Sequence, residues 1–202
     1  ENYLLVRDSS NFFNDPKNIY IFFYKCLKDQ LLPHPTALRL IFNKIQFINS
    51  TNFNCNIVKS YFLKILIEDK NNEIFEIMHN IGVIAKLIPQ FSRIVCQAQF
   101  DQYHLFTVDQ HTIKALNTLK KIDYGEETKN KYLFASSILE RIKNKKPLYL
   151  ATLFHDIGKG YEGNHNIIGS RISKSVCERF DLSTDEIDDI TWLVANHQKF
   201  CD

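Results

Sequence analysis

The dipeptide His155-Asp156 sets an imidazole beside a carboxylate directly after the apolar run Leu148–Phe154, and Ile157-Gly158-Lys159-Gly160 follows it. An ionisable pair placed behind Ala151, Leu153 and Phe154 must be paired or metal-bound to be tolerated. Imidazole and carboxylate are both good ligands for borderline divalent ions, so the chemistry on offer is metal coordination. Alone, the dipeptide also fits a helix C-terminus, with His155 meeting the dipole and Asp156 beginning a turn. Other histidines sharpen the metal reading. His111 follows Asp109 by two residues, His165 follows a glycine-rich window, and His197 sits near the end of the last helical pattern. Each by itself also fits a core or surface position, but one ligand from each of several helices is how a helical bundle builds a metal centre. His34 lies between prolines, His79 beside a helix end and His104 in the aromatic patch around Phe100 and Phe106, which makes them poorer ligands.

The elements that must position these residues are helices. The chain has only 6 Gly, and four of them (Gly158, Gly160, Gly163 and Gly169) share one window, where the backbone must bend or approach something closely. Asn14-Asp15-Pro16 opens a helix with Ile19, Phe22, Phe23, Cys26 and Leu27 on one face. Thr36 is expected to cap the next, which carries Leu40, Ile41, Phe42, Ile45, Phe47 and Ile48. Further helices are predicted over 55–68, 73–81 and 130–143, with Gly82 stopping the second of these, and another holds His111 in its first turn and reaches about Ile122. Pro147 starts the apolar helix 148–155, which must be buried. Thr107-Val108-Asp109-Gln110 and Ser183-Thr184-Asp185-Glu186 read as capping boxes, the latter opening the helix that carries Trp192 and His197. Tyr3–Val6 reads as a strand remnant. The expected class is all-α.

Composition limits the function classes. At 202 residues, with 45% hydrophobic and 24% charged side chains, the chain can bury a sizeable core and is not disordered. A net charge of +2 gives no reason to expect nucleic acid as a partner. No apolar run suits a membrane span, and the sequence starts at Glu1 without a basic-then-apolar leader, so neither a membrane nor a signal peptide is expected. Cys26, Cys55, Cys96, Cys177 and Cys201 are odd in number, scattered and free of any CxxC pair, which predicts reduced, core-packed thiols and a cytoplasmic setting.

The order His111 … His155-Asp156 resembles the HD-domain metal-dependent phosphohydrolases. More specifically, several stretches resemble the bifunctional uridylyltransferase/uridylyl-removing enzymes that modify the nitrogen-signal protein PII. They are 91–95, Gln99-Phe100-Asp101-Gln102-Tyr103-His104, Thr107-Val108-Asp109-Gln110-His111-Thr112, the run from Leu150 to Gly160, Gly163-Asn164-His165, and Trp192-Leu193-Val194-Ala195-Asn196-His197. Residues 91–202 are thus identified as an HD domain. Residues 1–90 more loosely resemble the helical extension that follows the family's nucleotidyltransferase domain.

The resemblance implies that His111, His155, Asp156, His165 and His197 are ligands to one or two divalent ions (Mn, Fe, Co, Zn or Mg), with Asp156 able to bridge. It implies hydrolysis of the UMP–tyrosine phosphodiester on uridylylated PII. Such hydrolysis at neutral pH needs an activated water and positive charge over the phosphoryl oxygens. Asp156 and Lys159 are the expected catalytic residues: Lys159 leaves a glycine-rich loop just beyond the metal pair, although it also fits a solvated cation. Arg93 and Arg171 are weaker candidates. The family has a further aspartate ligand well past the position of His197, and it has Asp where Asn164 stands. The sequence ending at Asp202 is therefore read as a fragment or the product of a split gene, expected to hold one ion better than two. Two other readings stay open: a different HD phosphohydrolase acting on nucleotides, and a catalytically decayed helical interaction module.

Overall fold

The computed structural model describes residues 2–98, 106–125 and 131–199. His104 with the stretch around it, the helix start expected at Asn130, and Cys201 lie outside the described residues. The described residues are overwhelmingly helical, so the all-α class holds. The chain divides into two compact units, Glu1–Pro89 and Gln90–Asp202.

In the first unit, β1 (Tyr3–Leu4) pairs in parallel with β2 (Leu32–Pro33), so the strand remnant is only two residues long. A short helix, α1 (Ser9–Phe13), precedes α2 (Lys17–Lys28), which buries Ile19, Phe22, Phe23 and Cys26 as its apolar face requires. In α3 (Pro35–Ile45) the cap is His34 rather than Thr36: the Thr36 backbone N–H donates to His34 Nδ1 over 3.2 Å. Proline is suited to a first helical turn, so the helix begins two residues earlier than expected. Phe42 and Phe47, placed on the packed face by periodicity, are exposed. Then come α4 (Asn56–Glu68), α5 (Glu73–Asn80) and α6 (Val83–Leu87), the last two separated by Gly82 at φ 81°. The core of this unit gathers Phe23, Phe62, Ile65 and Phe75 where α2 meets α4 and α5.

The second unit holds α7 (Val108–Tyr124), α8 (Leu133–Arg141), α9 (Lys146–Phe154), a 3-10 turn (Ile157–Gly160), α10 (His165–Arg179) and α11 (Thr184–Asn196). The capping box at Ser183 forms with both of its hydrogen bonds. The one expected at Thr107 does not: the Thr107 side chain makes no cap hydrogen bond, and its hydroxyl donates to Asp109 Oδ1. Largely apolar beyond Lys146, α9 is buried against α7, α10 and α11. Lys146, at its start, meets Glu186, at the start of α11, over 2.8 Å. Their ends meet too, through His155 and His197, with ring centroids 5.3 Å apart. The two helices therefore run side by side in the same direction and finish together.

The four described cysteines are free. Burial pushes the Cys26 and Cys177 thiols up to about 12. Cys96 departs from the core-packed expectation: it is exposed at φ 56°, on a turn that faces water. Among the described residues no helix is long and apolar enough to cross a membrane.

Candidate metal centre

His155 and His197 are the C-terminal cap residues of α9 and α11. Each ring turns back onto its own helix. His155 Nδ1 lies 2.8 Å from the Thr152 carbonyl oxygen, and His197 Nδ1 lies 2.8 Å from that of Val194. A carbonyl oxygen only accepts, so each Nδ1 carries a proton and each Nε2 is left to face the site. His155 Nε2 is 3.2 Å from Asp156 Oδ2, and His197 Nε2 is 3.6 Å from Asp156 Oδ1. From the first turn of α7, His111 brings Nε2 to 3.8 Å from Asp156 Oδ2. His165, the first residue of α10, places its ring centroid 6.0 Å from that of His197. The five residues named from the sequence thus come together as two triads, His111–His155–Asp156 and Asp156–His165–His197. In each triad the donor atoms lie within 4.8 Å of one another, and the triads share Asp156.

Do these residues fit a cation? Asp156 Oδ1 and His165 Nε2 are buried and have no hydrogen-bond partner. Such orphaned atoms cost about 1–3 kcal/mol each, and a divalent ion between the triads relieves both. Four imidazoles and one carboxylate suit Mn, Fe, Co or Zn better than Mg, which prefers an all-oxygen shell. The negative dipole ends of α9 and α11 converge on the same spot and favour positive charge there. The donor set, the orphaned atoms and the local field all fit a divalent cation.

Charge and burial act oppositely on the individual ligands. Burial pushes the Asp156 carboxyl up, but the imidazoles of His155 and His197 and the Lys159 ammonium outweigh it and hold the carboxyl well below the usual range. Burial depresses His165, against the pull of the Asp156 charge, and so favours the neutral ring that a metal needs. At His197 the hydrogen-bonding carboxylate of Asp156 prevails over burial and raises the imidazole.

The glycine window works by close packing rather than as a loose loop. A Cβ at Gly158 would collide with the His165 carbonyl oxygen and lie 2.7 Å from the Gly169 backbone nitrogen. Only a residue without a side chain lets the 3-10 turn press against α10, which seats His165 beside Asp156. Gln97 Nε2 donates to the Lys159 carbonyl over 2.8 Å, and the Arg93 guanidinium lies 4.4 Å from the Tyr161 ring centroid. Lys159 is thereby fixed with Nζ 3.0 Å from Asp156 Oδ2. Arg93 braces this turn, and Arg171 is exposed on α10. The carbonyls of Thr152 and Val194 carry no signal in residue type; only the placing of His155 and His197 at helix ends pointed to them.

The HD domain family matches residues 108–202. The chain is 36% identical over 195 residues to the bifunctional uridylyltransferase/uridylyl-removing enzyme of Azospirillum brasilense, covering 96% of this chain and 21% of that protein. The enzyme of the same description from Ruegeria pomeroyi is 37% identical over 193 residues, covering 95% of this chain and 21% of that protein. For the one from Novosphingobium aromaticivorans the identity is 34% over 193 residues, with coverage of 95% and 21%. The chain thus spans about a fifth of the length of these curated relatives. The five candidate ligands, from four helix ends and the turn between them, thus lie within the stretch 108–202 that matches the HD domain family.

Proposed function

We propose that this chain is the uridylyl-removing portion of a bifunctional uridylyltransferase/uridylyl-removing enzyme, and that it hydrolyses the UMP–tyrosine phosphodiester of uridylylated PII in the cytoplasm. The observation that carries the reading is the pair of His/Asp triads sharing buried Asp156. The names and similarity of the relatives support it. In this reading residues 91–202 act as the HD domain and residues 1–90 as a helical extension.

His111, His155, Asp156, His165 and His197 hold one or two divalent cations. Once bound, such an ion lowers the pKa of water and shields the phosphoryl oxygens. The Thr152 and Val194 carbonyls keep the Nδ1 protons of His155 and His197 in place, so both rings stay in the ligating tautomer. Asp156 remains a carboxylate across the physiological range, because its neighbours hold its proton off. Lys159 turns its ammonium from Asp156 to a phosphoryl oxygen of the substrate, a charge-assisted contact that strengthens as charge builds there. The test is UMP release from uridylylated PII with Mn supplied, beside free nucleotides as alternative substrates. Release that requires Mn supports the reading. Faster turnover of free nucleotides would move the assignment to another phosphohydrolase of the same fold.

A further inference from the structure

Beside the metal centre a cavity of about 330 Å³ opens between α9 and α11. Leu148, Thr152 and His155 line it from one helix, and Trp192, Asn196 and His197 from the other. Two of the candidate ligands thus form part of its wall, so one substituent of a phosphoryl group held at the metal centre has direct access to it. The indole of Trp192 is 61% exposed, a large aromatic surface left in water one helical turn before a candidate ligand. Asn196 Nδ2 donates one of its two N–H groups to the Trp192 carbonyl over 2.7 Å, which fixes the orientation of the amide and leaves Asn196 Oδ1 to accept.

We infer that this groove is a nucleoside pocket in which Trp192 stacks on the pyrimidine ring of the nucleotide being released. The inference rests on the phosphodiester reading above and names the half of the substrate that the groove takes. A nucleotidyl-tyrosine ester offers two substituents. The phenyl ring of an esterified tyrosine has no hydrogen-bond donor for Asn196 and is tethered to a bulky protein. A uracil has a π-face for the indole and an imide N–H for a carboxamide oxygen, and the nucleoside is joined to the rest of the substrate only through the phosphate. The observations favour the nucleoside.

The chain contains a single Trp, so its emission reports on this groove alone. The 202-residue chain with Mn is titrated with UMP, ribose 5-phosphate and phenyl phosphate. UMP is expected to change Trp192 emission saturably and to bind about tenfold or more tightly than ribose 5-phosphate, as loss of one base stack implies. By calorimetry, Trp192→Ala should weaken UMP about tenfold, and Trp192→Phe should restore part of the loss. Unchanged emission at saturating UMP, equal affinity for UMP and ribose 5-phosphate, or a Trp192→Ala variant that binds UMP normally would each overturn the pocket. Preferential binding of phenyl phosphate would assign the groove to the tyrosine side instead. The two readings fail separately. UMP that binds against Trp192 without any release from PII leaves the pocket standing and removes the reaction. Release without base-dependent binding does the reverse.

Discussion

Lys159 Nζ stands 3.0 Å from Asp156 Oδ2, closer than any of the three imidazoles measured against that carboxylate. In the proposed function the ammonium and a divalent ion would compete for this one buried carboxylate, and Lys159 would exchange it for a phosphoryl oxygen. Lys159→Gln should leave Mn binding unchanged or tighter while UMP release falls about a hundredfold, the size of effect seen when a single transition-state donor is removed. Calorimetry for Mn and a turnover assay on the same sample separate the two. Weaker Mn binding with intact turnover would mean that Lys159 supports the site only structurally.

Asp156→Ala removes the carboxylate shared by both triads. Mn affinity should drop by more than about a hundredfold, beyond what loss of an outer-shell partner costs. Turnover should vanish, with helicity by circular dichroism unchanged. Activity surviving this change would place the chemistry elsewhere.

Gly158 and Gly169 touch each other's backbones, yet they should respond differently to an added methyl. At Gly158 the methyl meets fixed backbone atoms of α10, so Gly158→Ala should destabilise by about 3 kcal/mol or more and displace His165. At Gly169 the tightest contact is Val194 Cγ1 at 3.3 Å, with the Gly158 backbone nitrogen at an ordinary 3.5 Å, and helix propensity returns about 1 kcal/mol, so Gly169→Ala should be close to neutral. Urea titrations of both variants, with Mn affinity measured in parallel, check the ranking.

Glu186 ties the start of α11 to the start of α9 through Lys146 and Asn144. Burial pushes its carboxyl up, but the hydrogen bonds from Lys146 and Asn144 outweigh it, and the net value is lowered. A lowered folded value means that the contribution is full above the unfolded glutamate value of about 4.3 and is lost as the pH falls through the folded one. Glu186→Gln, which keeps an acceptor for the capping box, should be less stable than the parent by about 1–2 kcal/mol at pH 7. The difference should shrink below roughly pH 4. Chemical denaturation at pH 7, 5 and 3.5 gives the comparison, and a gap that widens towards acid would contradict it.

The helices around the site were legible because their signals are local. Pro147 sits in the first turn of α9 and Ser183 builds the box that opens α11, both as the sequence indicates. His111, His155 and His197 could be singled out because each falls at the end or first turn of a predicted helix, whereas His165 was marked only by the glycine window before it. What could not be read was anything fixed by a neighbour distant in sequence. The clamp between Lys146 and Glu186 spans 40 positions, and the seat of Gly158 against His165 depends on how a turn meets a helix. The same holds for His34: a histidine between prolines resembles a connector residue until its ring is seen capping α3. At Thr107 the hydroxyl points to the Asp109 carboxylate and no cap bond forms, an orientation that residue types alone do not fix.

The rings of His155 and His197 close the ends of their own helices as well as facing Asp156. Stripping the ion and deleting a ligand are therefore different injuries. A chelator leaves both helix ends stitched and the site refillable, whereas His155→Ala or His197→Ala also frees a carbonyl at the last turn and lets that turn fray. Loss of function by chelation should reverse on adding Mn back. Loss by either substitution should not, since the missing ring was also the stitch that held its ligand position in place.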